Sequence, residues 1–380
     1  MTAFYFLFSL EGPFDGDGVF AHYFIGDQSL KQLVSVTGLW GLVFLVSWAA
    51  SVINWAWEHA AHWEKTKQGS LIFASVLAGI LLLGGLRISP LLNSGDIETV
   101  RIAAVTTSMG SNWMQMLDSD STTSSFDVTI AAVDSLARQA ASGGANIVVF
   151  QESTMLVEKI DEERLFAALG SIAEDHSVYL SFTYVVSNND ARAENRQVFL
   201  NDGGEIEANY QKRYLLGAGP FGETAYIQKG PGVLPVVETP YGNIGFGICR
   251  DMSFAPYVRQ LGRKNVDIVF DPSDDFPRSK AHVSLMRAIE SGFSFIRPTR
   301  NGVSFAADFH GNVVASKDYY ATANEIMYAD VPTKGKTTVY AIVGDAFGWL
   351  CVLGFGAFVV VSIRNRARRD DEMLQPTAFG

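Results

Sequence analysis

The stretch GNIGFGICRDMSF, residues 242–254, places a single cysteine, Cys249, at the end of an apolar, strand-like run. Two other runs are built in the same way: NIVVF (146–150) leads to Glu152, and EIEANYQ (205–211) leads to Lys212. The composition and length of these runs predict β-strands, so all three side chains are expected at strand ends. A thiol, a carboxylate and an ammonium group together supply a nucleophile, a base and an oxyanion partner.

The sequence around Cys249 indicates how such a set works. Arg250 and Asp251 follow the cysteine directly, which predicts a turn that presents the sulfur to a pocket. A nearby cation lowers the pKa of a thiol, and Lys212 is the candidate for that cation. Glu152 then takes the thiol proton and later returns it to a leaving group. Taken singly, however, a strand-end cysteine is more often structural, so the hypothesis depends on the three flanking sequences together.

Composition narrows the classes of function. The chain has 380 residues and a formal net charge of −11 at pH 7, which argues against nucleic acid as a partner because a phosphate backbone needs a basic face. Cys249 and Cys351 are the two cysteines, and a disulfide framework is not expected from them. The histidines show no metal-ligand spacing on a helix of the polar middle region. Neither a metal nor a cofactor is expected.

Three apolar runs predict membrane-spanning helices at about residues 33–57, 70–86 and 346–363. Tryptophans gather toward the end of the first run, as they do at a membrane interface. For each run the alternative is a buried core helix. The opening MTAFYFLFSL is too short to span a bilayer and lacks the basic residues of a signal peptide. It is interpreted as the end of a further helix that the chain does not include.

Basic residues near the helix ends predict the orientation. Arg364 to Arg369 follow the last apolar run, and Lys65 and Lys67 lie between the first two. Positive charge favours the cytoplasmic side, so both places are expected there. Residues 1–95 then form an N-terminal membrane region, residues 96–340 an extracytoplasmic domain, and residues 341–380 a transmembrane helix with a basic cytoplasmic tail.

The middle of the chain alternates strand-like and helical segments. The strand TVRIAAV (99–105) precedes a helix over Phe126–Ala141, and a second helix is predicted over Asp161–Asp175. Strands follow at Tyr179–Val186 and Val198–Leu200, and later segments continue the pattern up to a helix near 279–292 and three further strands. This βαβ rhythm predicts one α/β domain.

The flanks of the three reactive residues resemble the carbon-nitrogen hydrolase (nitrilase) superfamily and, within it, the apolipoprotein N-acyltransferase family. The resemblance runs through VVFQES with Glu152, YQKRYLLGAGPFGE with Lys212 and Glu223, GNIGFGICRDMSF with Cys249, and the segment 282–314. It extends into the membrane run LVSVTGLWGLVFLVSW. The fold that this resemblance implies is an α-β-β-α sandwich with flanking transmembrane helices.

The same resemblance implies a role for each residue. Glu152 matches the family's general base, Lys212 its oxyanion lysine, Cys249 its nucleophile, and Glu223 a second glutamate that helps to hold the lysine. The implied activity is transfer of a fatty acyl chain from a phospholipid to the N-terminal amine of a diacylglyceryl-cysteine lipoprotein, through a thioester. The implied location is the bacterial plasma membrane, with several crossings and an extracytoplasmic catalytic domain.

The chain also departs from that family. Arg250 and Asp251 stand where a tyrosine and a glutamate are usual, which shortens the carboxylate and brings a fixed positive charge beside the sulfur. The two residues are therefore supporting or substrate-binding candidates. Fewer membrane helices are present than the family generally has, so the chain is either a shortened relative or lacks an N-terminal part.

Two other functions stay open at this point. The first is a membrane-anchored amidase or nitrilase that uses the same three residues but passes the acyl group to water. The second is a non-catalytic envelope module that has kept the fold for binding. For the acyltransferase, residues 113–117 and 272–277 are candidate loops that lean on the bilayer and keep water from the thioester. Asp274 and Asp275 either line the pocket or cap the helix near Ser279, and capping is the commoner role.

Overall fold

The structure is a computed structural model that describes residues 1–11, 19–23, 26–59, 63–90, 97–111, 113–117, 126–188, 191–217, 222–276, 281–318 and 325–374. Its helices are α1 (Thr2–Glu11), α2 (Gln28–Lys31), α3 (Val34–Thr37), α4 (Leu39–Glu58), α5 (Trp63–Ile88), α6 (Trp113–Leu117), α7 (Phe126–Ser142), α8 (Glu162–His176), α9 (Glu223–Tyr226), α10 (Ala255–Arg263), α11 (Ala281–Ser291), α12 (Val339–Val343) and α13 (Ala346–Leu374). Short 3₁₀ helices cover Phe20–Tyr23, Lys159–Asp161 and Cys249–Ser253.

Fourteen strands are present in the described residues: β1 (Thr99–Thr106), β2 (Ile147–Phe150), β3 (Met155–Glu158), β4 (Tyr179–Asn188), β5 (Ala191–Leu200), β6 (Ile206–Gln211), β7 (Val236–Thr239), β8 (Gly242–Phe246), β9 (Ile268–Phe270), β10 (Ser273–Phe276), β11 (Ser294–Arg297), β12 (Thr299–Ala307), β13 (Val313–Asp318) and β14 (Glu325–Pro332). The first sheet has the order β14–β1–β2–β4–β5–β6, with β3 also paired to β4. The second has the order β10–β12–β11–β9–β8–β7, with β13 also paired to β12.

The two sheets pack face to face, and helices cover their outer faces. Alternate residues of β1 show why: Ala103 and Val105 belong to the core under α7 and α8, whereas Ile102 and Ala104 belong to the core between the sheets. A strand turns successive side chains to opposite faces, so a strand that is apolar on both faces must be covered on both. On the other side, α10 and α11 contribute to the core of the second sheet. The strands and helices from β1 to β14 are called the α/β domain below.

Within the part of the chain that the structure describes, three helices are long and apolar enough to cross a membrane: Leu39–Glu58, Glu64–Ile88 and Ala346–Arg368. Helix α4 lies between the other two, because Phe44 meets Phe347 of α13 and Trp48 meets Phe73 of α5 at ring distances of 5.7 Å and 5.1 Å. These three helices, α4, α5 and α13, are called the membrane helices. Helices α4 and α13 begin next to the α/β domain and lead away from it.

The helix bounds differ from the sequence-based ones for local reasons. The first predicted run, 33–57, is divided at Gly38, whose φ of +62° ends α3 and lets α4 begin at Leu39. A side chain at this glycine would also lie 2.5 Å from the ring of Tyr340. The second run extends from 70–86 to 63–88, and the third continues to Leu374. Polar residues before or after the apolar core do not stop a helix, so hydropathy alone makes these two helices too short.

Candidate active site

Parallel strands bring the three predicted residues to the same part of the α/β domain. Glu152 follows β2, Lys212 follows β6, and Cys249 follows β8, so each lies at the carboxyl end of its strand. Strands β2 and β6 lie in the first sheet, and β8 lies in the second. The carboxyl ends of neighbouring strands form the usual crevice for ligands in α/β folds. The site is therefore built across the junction of the two sheets.

Cys249 occupies a sharp turn from strand to helix. Its φ is +51°, a left-handed conformation that costs energy for a residue with a side chain, and it begins the 3₁₀ helix Cys249–Ser253. Its backbone N–H donates to the carbonyl of Pro272 at 3.0 Å. At Gly247 a Cβ would lie 2.2 Å from Cε of Met252, so a larger residue there would require the methionine side chain to move. The strain is typical of residues that are held for a function.

Lys212 connects two carboxylates at the centre of the site. Its Nζ donates to Oε1 of Glu152 at 2.7 Å and to Oε1 and Oε2 of Glu223 at 2.7 Å and 2.8 Å. Lys212 and Glu152 are 1% and 2% exposed, so these charges are shielded from water and hold one another tightly. Glu223, predicted as the partner of the lysine, also accepts from the backbone N–H of Leu216 at 2.7 Å.

Glu152 is oriented by Asn195, which the sequence did not single out, and by Asp274, for which lining the pocket was one of two predicted roles. Asn195 donates from Nδ2 to Oε1 of Glu152 at 2.8 Å, and its carbonyl accepts the backbone N–H of Lys212 at 2.9 Å. The backbone N–H of Asp274 donates to the other carboxylate oxygen, Oε2, at 3.0 Å. Asn195 therefore fixes the position of the Glu152 carboxylate and of the Lys212 backbone, while Oε2 of Glu152 faces β10. Neither contact has a signal in the sequence, because each joins segments far apart in the chain.

The electrostatics of the site differ from the expectation at the sulfur. Burial raises the pKa of the Cys249 thiol well above its usual value, the charge of Glu152 raises it further, and the charges of Lys212 and Arg297 do not compensate. The charge of Lys212 does lower the thiol pKa, as predicted, but burial and the charge of Glu152 outweigh it, so the net shift is upward. For Lys212, burial favours the neutral form, but Glu152 and Glu223 outweigh burial and raise the pKa well above its usual value.

Asp251 joins the turn at Cys249 to the segment that follows Lys212. Its carboxylate accepts the backbone N–H groups of Tyr214 at 2.8 Å, Arg213 at 3.2 Å and Ile248 at 3.0 Å, and the hydroxyl of Tyr210 donates to it at 2.6 Å. Burial raises the pKa of Asp251 to about 6 despite these donors. Asp251 is buried and holds the backbone on either side of the site. It therefore supports the turn that carries the nucleophile candidate, Cys249.

The fixed positive charge near the sulfur is Arg297, not Arg250. Arg250 lies over the ring of Phe254, with 5.6 Å between Cζ and the ring centroid. Arg297 is fully buried, pairs with Asp271 and donates to the carbonyl of Cys249 at 3.4 Å. The sequence placed Arg250 beside the sulfur because it follows in the chain, whereas the arginine whose charge acts on the thiol is Arg297. Arg297 lies at the end of β11, two strands from β8.

Two expectations about loops meet the structure in part. Trp113 is 3% exposed and packs with Leu156 and Val185 inside the α/β domain, so this side chain of α6 is buried in protein. Of its two predicted roles, Asp274 does not cap a helix: it belongs to β10, its side chain pairs with Arg300 at 2.6 Å, and its backbone contacts Glu152 in the site. Of the segment 272–277, Pro272 and Ser273 are buried, and Pro277 lies outside the described residues.

The family follows from the match of a family model to the region that holds this site. The model of the carbon-nitrogen hydrolases matches residues 101–338, which is more than half of the chain. The chain belongs to the carbon-nitrogen hydrolase family. All four residues of the carboxylate–lysine–thiol arrangement, Glu152, Lys212, Glu223 and Cys249, lie within the matched residues.

Among relatives, this carbon-nitrogen hydrolase is similar along most of its length to apolipoprotein N-acyltransferases. It is 22% identical to that of Geobacter metallireducens over 367 residues, which covers 89% of this chain and 68% of the relative. The values for the protein of Shewanella oneidensis are 21%, 89% and 68%. The deaminated glutathione amidase of Rattus norvegicus is 33% identical over 141 residues, but that match covers 32% of this chain and 43% of the relative.

Solved structures agree with the fold of the domain. A carbon-nitrogen hydrolase from Helicobacter pylori superposes with a TM-score of 0.52 at 18% identity, covering 62% of this chain and 90% of that one. A mutant of the amidase from Nesterenkonia sp., with the acetamide moiety of fluoroacetamide added covalently at its active-site cysteine, gives 0.52 at 18%, covering 66% and 97%. At this identity the likeness shows the fold alone. The α-β-β-α arrangement is thus that of the nitrilase fold.

Proposed function

We propose that the protein is a membrane-bound N-acyltransferase that moves an acyl chain from a phospholipid to the N-terminal amine of a diacylglyceryl-cysteine lipoprotein. The observation that carries the proposal is the buried contact of Lys212 with Glu152 and Glu223, at the strand ends that also present Cys249. Two of the chain's membrane helices, α4 and α13, begin at the same domain. The similarity to apolipoprotein N-acyltransferases over 89% of the chain supports this substrate class.

The first half of the reaction forms a thioester on Cys249. Because the thiol pKa is raised, the resting sulfur is protonated and is activated during attack. Glu152 takes the proton as the sulfur attacks the ester carbonyl, and Lys212 stabilises the oxyanion by exchanging one of its two contacts with Glu223. The C–O bond breaks, Glu152 gives the proton to the departing glycerol oxygen, and the acyl group remains on sulfur.

The second half transfers the acyl group to an amine. The neutral α-amine of the lipoprotein attacks the thioester, Glu152 takes one proton from nitrogen, and the proton passes to the departing thiol of Cys249. Lys212 again faces the tetrahedral oxygen. The thiol proton and the amine proton are removed by the same carboxylate, which must stay in the same place for both steps. Hydrogen bonds from Asn195 and from the backbone N–H of Asp274 hold the Glu152 carboxylate in that place.

The product separates this proposal from its closest alternative. We expect the protein, in vesicles that contain phospholipid with a labelled acyl chain, to convert a synthetic diacylated lipopeptide into a triacylated one, detected by mass spectrometry. The matched control is the same lipopeptide with an acetylated N-terminus, which offers no amine. Release of free fatty acid without a triacylated product would contradict acyl transfer.

The alternative is an amidase or nitrilase that passes the acyl group to water. The similarity to deaminated glutathione amidases supports it, although that match covers a third of this chain. If a small amide is added to the same assay, such an enzyme releases ammonia from that amide and leaves the lipopeptide unchanged. A non-catalytic envelope module does neither, with or without phospholipid.

The proposed location is a bacterial plasma membrane, with the α/β domain on the extracytoplasmic side. Lys65 and Lys67 in the first turns of α5 and the arginines at the end of α13 lie at the ends of the membrane helices that point away from the α/β domain. Two single-cysteine variants test this in a background with Cys249 and Cys351 replaced by serine. We expect a membrane-impermeant maleimide to label Glu205→Cys, in the exposed β5–β6 hairpin, in spheroplasts, and Glu64→Cys only after lysis. The reverse pattern would contradict the orientation.

A further inference from the structure

Helix α11 belongs to two cores at once. Met286 and Ile289 pack into the cluster formed by α1, α4 and their neighbours, whereas Ala288 packs into the core of the second sheet. All three are at most 1% exposed. A helix shared in this way fixes the α/β domain against the membrane helices, because neither core is complete without it.

A buried ion pair on α11 holds the beginning of α4. Arg287 pairs with Glu290, and both are 1% exposed. Oε1 of Glu290 accepts the backbone N–H of Leu39, the first residue of α4, at 3.0 Å. The pair thereby satisfies one of the N–H groups that a helix start leaves without a partner inside the helix. A residue of the α/β domain thus caps a membrane helix.

Other polar contacts surround the same point. The indole Nε1 of Trp40, on α4, donates to Asp345 at 3.0 Å, and the hydroxyl of Tyr340, on α12, donates to the same carboxylate oxygen at 3.1 Å. Asp345 directly precedes α13. Thr338, which caps α12, donates to the carbonyl of Glu290. The starts of two membrane helices, α4 and α13, therefore meet within one hydrogen-bonded cluster on the α/β domain.

The cluster lies directly beside the nucleophile segment. Helix α11 contacts the 3₁₀ helix that begins at Cys249. A cavity of about 20 Å³ is lined by Leu39, Trp40, Arg287 and Glu290 together with Ala255 and Pro256, which begin α10 shortly after that 3₁₀ helix. This volume is close to the minimum for a single water, so the contact is packed and is not a ligand site.

We propose that the Arg287–Glu290 pair is a positioning device that holds the catalytic segment at a fixed place relative to the bilayer, so that the thiol meets membrane-resident substrates. This inference rests on the proposed function, since it concerns access to lipid donors. The pair does not touch the reacting atoms. It therefore affects the use of donors in a bilayer and leaves the chemistry at the sulfur unchanged.

Two variants test the device. Glu290→Gln removes the carboxylate charge that pairs with Arg287. The double change Arg287→Met/Glu290→Leu replaces the pair with apolar side chains of similar size. Such a replacement of a buried ion pair often preserves stability. For both we expect kcat/KM with phospholipid donors in vesicles to fall by about tenfold or more. We expect the rate with a short-chain, water-soluble thioester donor to stay within about twofold of wild type.

A readout that does not depend on acyl transfer accompanies these rates. In vesicles, amide hydrogen exchange in the first turn of α4, residues 39–42, is expected to accelerate at least tenfold in both variants, while exchange in residues 249–253 stays unchanged. If the wild-type protein transfers no acyl chain, the proposed function fails, but this exchange pattern still decides whether the pair fixes the contact.

The matched control is Glu162→Gln. Glu162 is also a buried carboxylate, pairs with Lys159 and accepts from Tyr184, but it lies on the outer helix α8. It is expected to change neither the vesicle rate nor the exchange of residues 39–42. An equal loss with the vesicle donor and the soluble donor, or unchanged exchange at residues 39–42 in the double variant, would overturn the proposal.

Discussion

Replacing Cys249 with alanine is expected to lower acyl transfer by roughly 10⁴-fold or more, the size of effect seen when a covalent nucleophile is removed. The proposed thioester forms on this sulfur, on which the charges of Glu152 and Lys212 both act. The strained φ of +51° at Cys249 is kept by the packing around it, and alanine fits in the space of the thiol. The rate of triacylated product formation in vesicles measures the effect.

The other cysteine supplies the control for this change. Cys351 lies on α13, and nothing in the proposed mechanism uses it. Cys351→Ser is therefore expected to retain the wild-type rate within about twofold. The thermal unfolding of Cys249→Ala is expected to resemble that of the wild type. A Cys249→Ala protein that still transfers acyl chains at a comparable rate would remove the cysteine from the mechanism.

The second large effect is expected from Glu152→Gln. Glutamine keeps the shape of the side chain but cannot take a proton, so acyl transfer is expected to fall by roughly 10²- to 10⁴-fold, the usual contribution of a general base. The same change removes the nearest charge that raises the thiol pKa. The variant therefore loses transfer but gains thiolate at a given pH.

Alkylation by iodoacetamide, in the Cys351→Ser background, measures that gain. Because the thiolate is the reactive form, alkylation of the wild-type Cys249 is expected to stay slow up to about pH 9 and rise only above it, since the pKa lies above its usual value. In Glu152→Gln the rise is expected at lower pH. Rapid labelling at neutral pH is thus not expected of the wild-type enzyme, even though its cysteine is the proposed nucleophile.

The control for Glu152→Gln is again Glu162→Gln, which neutralises a buried, lysine-paired carboxylate away from the thiol. It is expected to leave both the transfer rate and the pH profile of alkylation unchanged. A Glu152→Gln protein that loses transfer but shows the wild-type alkylation profile would mean that Glu152 acts through the fold and not through charge at the sulfur.

The sequence predicted those parts of the site that local patterns determine. Strand-like runs ending on Glu152, Lys212 and Cys249 are local features, and the structure places all three at strand ends. Helices α7 and α8 were predicted within a residue or two, because their buried faces recur at helical spacing. Strand β14 and helix α10 were not predicted. Strand β14 is defined by its pairing with β1, which lies near the other end of the domain's sequence.

Contacts between distant segments account for what the sequence did not show. Asn195 and the backbone of Asp274 orient Glu152, and Arg297 reaches the carbonyl of Cys249, although none of these is near its partner in the chain. The net direction of the thiol pKa also depends on the fold. The sequence predicts the lowering effect of Lys212, but the burial and the charge of Glu152 that outweigh it appear only in the structure.

Mass spectrometry of the enzyme incubated with phospholipid, without an acceptor amine, tests the central claim most directly. We expect one acyl group per protein, on the peptide that contains Cys249, released by neutral hydroxylamine and absent from Cys249→Ala. We also expect that adding the diacylated lipopeptide removes this group as the triacylated product appears. Triacylated product formed while Cys249 remains unmodified, or an acyl group on another residue that turns over at the same rate, would contradict it.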